Sequence, residues 1–148
     1  MFQRSFIVLT SALLVAGTAG AQYREHERGS DIARVIRDCE DRTSVFERSF
    51  RHALERSDYH GSFKQDELNR HADELDRAMG KLHETWNRER DVEKTRHFVD
   101  EAIRVSRDIN HVMNRERFYP GLQDQWAAVR AELNHLAEAF GLPRLRWE

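Results

Sequence analysis

The sequence predicts an all-α protein folded as an up-down-up-down four-helix bundle. In four segments, apolar residues recur alternately four and three residues apart, as on one face of a helix. Short stretches rich in Gly, Pro or polar residues separate most of these segments, and no segment alternates as a half-buried strand does. Four helices of similar length joined by short turns favour antiparallel neighbours. We predict helices over residues 31–57, 63–87, 91–117 and 122–140.

The first predicted helix carries a narrow, coiled coil-like seam of inward residues. Ser30 or Asp31 can cap its start by accepting hydrogen bonds from the free N–H groups of the first turn. The turn-forming stretch "SDYHG" marks its end. The seam consists of Ile32, Ile36, Cys39, Thr43, Phe46, Phe50, Ala53 and Ser57.

The second helix begins at a possible capping box, in which Ser62 is followed three residues later by Gln65. Its seam is Leu68, Ala72, Leu75, Met79, Leu82 and Trp86. The following stretch "NRERDVEK" contains neither Gly nor Pro. However, the apolar stripe after it (Val92, Thr95, Val99, Ala102) is displaced by about one residue from the earlier register. We therefore expect a turn within residues 87–91, with Asp91 capping the third helix.

The third helix has a broader apolar face and ends at "RFYPG", where Pro120 and Gly121 interrupt the pattern. In the fourth helix we expect Trp126 to anchor the core. Gly141 follows the last inward residue, at the position where a glycine in the left-handed conformation commonly caps a helix, and Leu142-Pro143 comes after it. The inward residues of the fourth helix are Trp126, Val129, Leu133, Leu136 and Phe140.

The N-terminal 21 residues have the features of a cleaved secretory signal. Arg4 precedes an apolar stretch, and Ala19-Gly20-Ala21 is a small-x-small cleavage site. The apolar stretch is shorter than the roughly 20 residues that a permanent membrane span needs. We predict a signal peptide over 1–21, a flexible polar tail over 22–30, the bundle over 31–142 and a short C-terminal tail over 143–148. The protein is then expected in the periplasm or secreted, without a stable membrane anchor.

Charge and cysteine content narrow the possible partners. The net charge is −2 at pH 7, and Lys and Arg form no basic run, which argues against a nucleic-acid partner. Cys39 is the single cysteine, so no internal disulfide can form. Its seam position predicts a buried, unreactive thiol.

Two carboxylate-x-x-His units resemble the ligand pairs of di-metal bundles. They are Glu132 with His135 and Asp108 with His111. Helical geometry turns His135, Asp108 and His111 away from the apolar seams, and the other two helices offer no inward Glu. We therefore predict no metal site from these motifs.

Other cofactor and catalytic motifs are also missing from the sequence. It has no Cys-x-x-Cys-His for haem, no Gly-x-Ser-x-Gly, no phosphate-binding glycine loop and no His-Glu-x-x-His. We predict no catalytic residues, no cofactor and no enzymatic activity.

Several aromatic residues fall outside the seams, in the predicted turns and tails. Those that are exposed are candidate contact points for a partner protein. They are Tyr59, Phe63, Phe118, Tyr119 and Trp147.

The C-terminal half "INHVMNRERFYPGLQDQWAAVRAELNHLAEAFGLP" resembles the closing hairpin of a group of small, exported, uncharacterised bacterial helical proteins. A weaker likeness extends to "DYHGSFKQDELN". The resemblance implies a helical fold and export, but no activity. The residues that carry it are Trp126, Val129, Arg130, Leu133, Asn134, Leu136 and Ala137.

These observations favour a non-enzymatic, exported bundle that binds another envelope or extracellular protein or has a stress-related role. The alternative is a bundle that holds a small apolar ligand or a divalent metal ion at its surface. Nothing in the sequence decides whether the chain associates with itself.

Overall fold

The computed structural model describes the backbone of residues 18–146 and the side chains of residues 29–146. Four α-helices follow one another: α1 (Thr18–Glu55), α2 (Phe63–Glu89), α3 (Val92–Arg115) and α4 (Pro120–Ala139). Within this part of the chain there is no strand. The predicted signal peptide falls mostly outside the described residues, and Trp147 lies outside them as well.

The helices form a bundle in which each packs on its neighbours in chain order. The backbones of α1 and α2, α2 and α3, α3 and α4, and α4 and α1 approach one another closely, whereas those of the diagonal pairs of described helices do not. The α3–α4 pair is the least closely packed of the four. The predicted all-α four-helix architecture is confirmed.

Helix α1 begins earlier than the sequence pattern predicts. It starts at Thr18, so residues 22–30, expected as a flexible tail, are helical. The prediction relied on the absence of an apolar stripe, but Gln, Arg and Glu have high intrinsic helix propensity and can extend a helix that is already nucleated by packing. Asp31 and Ile32 lie beside Leu136 and Ala139 near the end of α4. The first turns of α1 therefore extend beyond α4.

The predicted seams form the core. Nearly all of their residues are buried, from Ile32 and Ile36 in α1 to Leu136 and Phe140 at the end of α4. Trp126 is fully buried, and its ring centroid lies 5.0 Å from that of Phe46. Phe46 in turn stacks on Phe50 at 5.1 Å. Aromatic rings at these separations add favourable edge and offset contacts to the area they bury.

The turn between α2 and α3 lies where the displaced stripe predicts it. Arg90 ends α2 in the left-handed region (φ 49°), although glycine is favoured there, and its N–H bonds to the carbonyl of Trp86. Asp91 caps α3 by accepting from the N–H groups of Glu93 and Lys94. The turn forms without Gly or Pro, because an arginine adopts the left-handed conformation here.

The other two turns also follow predicted cap chemistry. Ser62 accepts from the N–H of Gln65, but the Gln65 side chain bonds to the N–H of Gly61 instead of that of Ser62. Pro120 and Gly121, expected in a turn before a helix that starts at residue 122, are instead the first two residues of α4, where the missing N–H of Pro120 costs nothing. At the other end of α4, Gly141 has φ 63°, and the Leu142 N–H bonds to the Ala137 carbonyl at 2.7 Å. These bonds close a Schellman cap.

Candidate protein-binding surface

The two carboxylate-x-x-His motifs lie at different helix pairs and do not converge. Glu132 faces α1, where one of its oxygens is 3.6 Å from Nε of Arg42. Asp108 faces α2, 3.4 Å from Nδ1 of His71. His135 and Asp108 are 62% and 57% exposed, as the helical geometry predicts. Among the described residues, no group of three or more His, Cys, Asp or Glu side chains is close enough together to hold a metal ion.

Cys39 lies in the core between α1 and α2. Its side chain is fully buried, and Sγ is 3.8 Å from Sδ of Met79. Burial raises the pKa of the thiol to about 12, because the thiolate would be cut off from water. The predicted burial of Cys39 is confirmed, and a thiol with this pKa is a poor nucleophile at neutral pH.

Several charged side chains at the α1–α2 edge are paired or hydrogen-bonded. Arg51 bonds to Glu47 on its own helix and to Asp73 on α2. One turn further on, the Ser44 hydroxyl donates to Asp76 at 2.6 Å. This edge therefore presents paired charges and a hydroxyl that is already bonded.

The end of the bundle where α1 meets α2 and α3 meets α4 carries exposed aromatic side chains. Phe63 is the first residue of α2 and is 84% exposed, and Tyr119, just before α4, is 51% exposed. Both belong to the aromatic residues that the sequence places in turns. A large apolar ring left in water at the start of a helix contributes nothing to the core.

Two neighbouring aromatic residues anchor this end to the core. The Phe118 ring lies 5.9 Å from that of Phe50, edge to face. The Tyr59 hydroxyl donates to Oε1 of Glu116 at 2.9 Å and so ties the α1–α2 turn to the end of α3. Burial, followed by this hydrogen bond, raises the pKa of Tyr59. The exposed rings are therefore presented by fixed turns.

A cleft of about 400 Å³ opens between the two turns at the same end. Its wall combines apolar surface from Phe118 and Tyr119 with charged groups of both signs. Aromatic residues and arginine are the types enriched in protein interfaces, with polar residues at the rim. The lining residues are His52, Ala53, Arg56, Ser57, Asp58, Glu116, Arg117, Phe118 and Tyr119. Together with Phe63 we call this region the turn-end surface.

A polar region that the sequence pattern did not predict lies between α3 and α4. Asn110, buried in α3, accepts a hydrogen bond from Nε1 of Trp126 at 3.1 Å. Arg130 is largely buried one turn further along α4, and burial lowers its pKa. The C-terminal residues 143–146 lie against both helices. The only sign of this region in the sequence is that two polar residues, Asn110 and Arg130, occupy positions that face the seams.

Comparisons of this chain with protein-family models, with curated proteins and with solved structures give no match. Of the helices that the structure describes, none is both long enough and apolar enough to cross a membrane.

Proposed function

We propose that this protein is a non-enzymatic, exported helical bundle that binds another protein through the turn-end surface. The observation that carries the proposal is the exposure of Phe63 and Tyr119 on turns that are fixed to the core. Apolar surface is retained in water at a cost in solubility, and where it is rimmed by charged groups it is typical of interaction sites. The partner is expected to offer an apolar pocket for Phe63, surrounded by polar groups that pair with Arg56, Asp58 and Arg117.

Export is supported by the signal-like N-terminus and by the resemblance described above. It predicts that the mature protein begins at Gln22. Intact-mass measurement of protein from a bacterial envelope fraction tests this directly. A chain that retains Met1 and stays in the cytoplasmic fraction would contradict the proposal.

The binding proposal is tested with Phe63→Ser combined with Tyr119→Ser. Both side chains are exposed, so neither substitution should lower the free energy of unfolding by more than about 0.5 kcal/mol. Serine at position 119, the N-cap of α4, should raise it. The matched control is Val45→Ser, which removes an apolar side chain that is 45% exposed on α1. Immobilised wild-type and Val45→Ser proteins should capture the same protein from an envelope extract, and the double variant should lose it.

The captured protein is then purified and titrated directly against the three chains. We expect the dissociation constant for the double variant to be at least tenfold higher than for the wild type. Equal binding by all three chains, or no protein lost by the double variant, would place the function elsewhere on the molecule.

The alternative, a surface metal or an apolar ligand, predicts a different result. A metal that binds only the folded state should stabilise it by about 2.7 kcal/mol at a hundredfold excess over its dissociation constant. We expect thermal melts with zinc or copper to show no such shift. A shift that saturates with metal concentration would favour the metal-binding function.

A further inference from the structure

Residues 143–146 form a non-helical segment held on α3 and α4 through its backbone. The Oδ1 of Asn134 accepts from the Leu145 N–H at 2.7 Å, and the Nδ2 of the same side chain donates to the Leu145 carbonyl at 3.2 Å. From α3, the Nδ2 of Asn110 donates to the Arg146 carbonyl at 2.9 Å. The Asn134 side chain thus pairs with both backbone groups of Leu145, much as a residue of a neighbouring strand would.

Two side chains of the segment make selective contacts. Leu145 is only 7% exposed and joins the hydrophobic core of the bundle. Arg144 extends back to α4, where it pairs with Oε2 of Glu138 at 2.5 Å. The site therefore selects mainly for leucine and adds a weaker preference for a basic residue before it, because the Arg144 and Glu138 side chains are both more than half exposed.

The segment leaves an open space beside α3. A cleft of about 540 Å³ remains between it and α3, bordered by Arg107, Asp108 and His111. The segment itself lies on the least closely packed pair of helices, α3 and α4, whereas the cleft is lined by α3 and the segment alone. We call this space, together with the part occupied by residues 143–146, the α3–α4 groove.

We propose that the α3–α4 groove is a peptide-binding groove, which the chain's own segment 143–146 occupies and which also accepts an extended segment of a partner protein. The partner segment carries a basic residue followed by leucine. Asn134 and Asn110 bond to backbone atoms, which any extended peptide supplies, while the leucine site and Glu138 select the side chains. Main-chain bonds that give affinity and side-chain sites that give specificity are the general features of extended-peptide recognition.

The chain's own segment then acts as a built-in competitor. A segment tethered by a short linker has an effective concentration on the order of millimolar. Partner binding to the intact chain must displace it, so detaching the segment should strengthen the binding of a peptide added in solution. The inference is independent of the turn-end surface, because it involves none of the residues in that surface.

The experiment measures fluorescence anisotropy of a labelled peptide with the sequence of residues 141–146. Leu145→Asp in the full-length chain detaches the cis segment and leaves the groove intact. We expect this variant to bind the peptide at least tenfold more tightly than the wild-type chain does. Adding Asn134→Asp, which keeps the acceptor but removes the donor, should weaken binding at least tenfold.

Peptide controls test which side chains are recognised. In the peptide, Leu145→Asp should abolish binding, and Arg144→Glu should weaken it at least threefold. In a chain that carries Glu138→Gln, the Arg144→Glu peptide and the unchanged peptide should have more similar dissociation constants. Binding that is indifferent to the leucine would overturn the proposal, as would the absence of binding to a folded Leu145→Asp chain.

A second measurement keeps the test decisive if Leu145→Asp does not fold. Wild-type chain labelled with ¹⁵N is titrated with the unlabelled peptide to several millimolar. The signal of the chain's own Leu145 backbone amide, which leaves Asn134 when the peptide takes its place, should shift in a saturable way and so support the groove. An unchanged Leu145 amide signal at the highest peptide concentration would overturn it.

Discussion

The indole Nε1 of Trp126 donates a hydrogen bond to Oδ1 of Asn110 over 3.1 Å in the buried space between α4 and α3. The same asparagine donates through Nδ2 to the Arg146 carbonyl. One buried amide therefore joins two helices and the C-terminal segment. Its orientation is fixed by these partners, because only the oxygen can accept from the indole and only the nitrogen can donate to the carbonyl.

Trp126→Ala should lower the free energy of unfolding by roughly 3–5 kcal/mol, because it removes a fully buried aromatic side chain. Trp126→Phe should cost about 1–3 kcal/mol, since it keeps most of the apolar contact but leaves the Asn110 oxygen without its donor. Urea melts at constant protein concentration measure both. His135→Ala, on the exposed side of α4, is the control and should change stability by less than about 0.5 kcal/mol. A larger loss for His135→Ala than for Trp126→Ala would contradict the assigned inner face.

Asn134→Ala should release the C-terminal segment while the bundle stays folded. It removes both hydrogen bonds to Leu145, and we expect a loss of about 1–3 kcal/mol. Hydrogen exchange followed by mass spectrometry should show faster exchange of the Leu145 amide and unchanged exchange in α2. Ala131→Ser, at an exposed position of the same helix, should leave the Leu145 amide protected. Equal exchange in wild type and Asn134→Ala would show that the asparagine does not hold the segment.

Cys39 should make the protein less stable at alkaline pH. Burial raises the pKa of the thiol from 9.0 to about 12 in the folded state, so between these values the unfolded chain loses a proton that the folded chain keeps. The unfolded state is then favoured, by up to about 1.4 kcal/mol for each pH unit. This destabilisation is absent below the pKa of the unfolded thiol, 9.0, and grows as pH rises toward the folded value of about 12.

The measurement compares unfolding free energies of wild type and Cys39→Ala between pH 8 and pH 11. The variant will be less stable at pH 8, because it leaves a cavity. The difference between the two chains should shrink as pH rises, since only the wild type has a thiol to ionise. In the wild-type chain, a thiol reagent should label Cys39 slowly until denaturant is added. A constant difference, or rapid labelling of the native protein, would show that the thiol is accessible.

Arg90→Gly should leave the protein equally stable or stabilise it by up to about 1 kcal/mol. Arg90 has φ 49° and ends α2, a position that glycine occupies without strain. Denaturant melts of the single variant provide the measurement. Lys81→Gly, in the interior of α2 and exposed, is the matched control and should destabilise by about 1 kcal/mol. A loss for Arg90→Gly as large as that for Lys81→Gly would mean that the arginine side chain stabilises the turn.

The sequence by itself determined the number of helices, their inward faces and most of their ends. This was possible because helical periodicity places seam residues such as Phe46, Met79 and Leu133 on one side, and that side has to be buried. The caps at Asp91 and Gly141 could also be predicted, because they depend on local hydrogen bonding and on backbone conformation. The outward direction of His135 followed from the same geometry.

Only the tertiary structure decided which features lie together. The start of α1 at Thr18 was not predicted, because a polar stretch can extend a helix without any seam. The pairing of Asn110 with Trp126, and of Asn134 with Leu145, joins residues on different elements, and no local pattern specifies such partners. The predicted up-down-up-down order already put Phe63 and Tyr119 at the same end of the bundle, but how much of each ring stays exposed was decided by the packing. Side-chain periodicity fixes which face of a helix is buried, whereas the neighbours of that face depend on how all four helices pack.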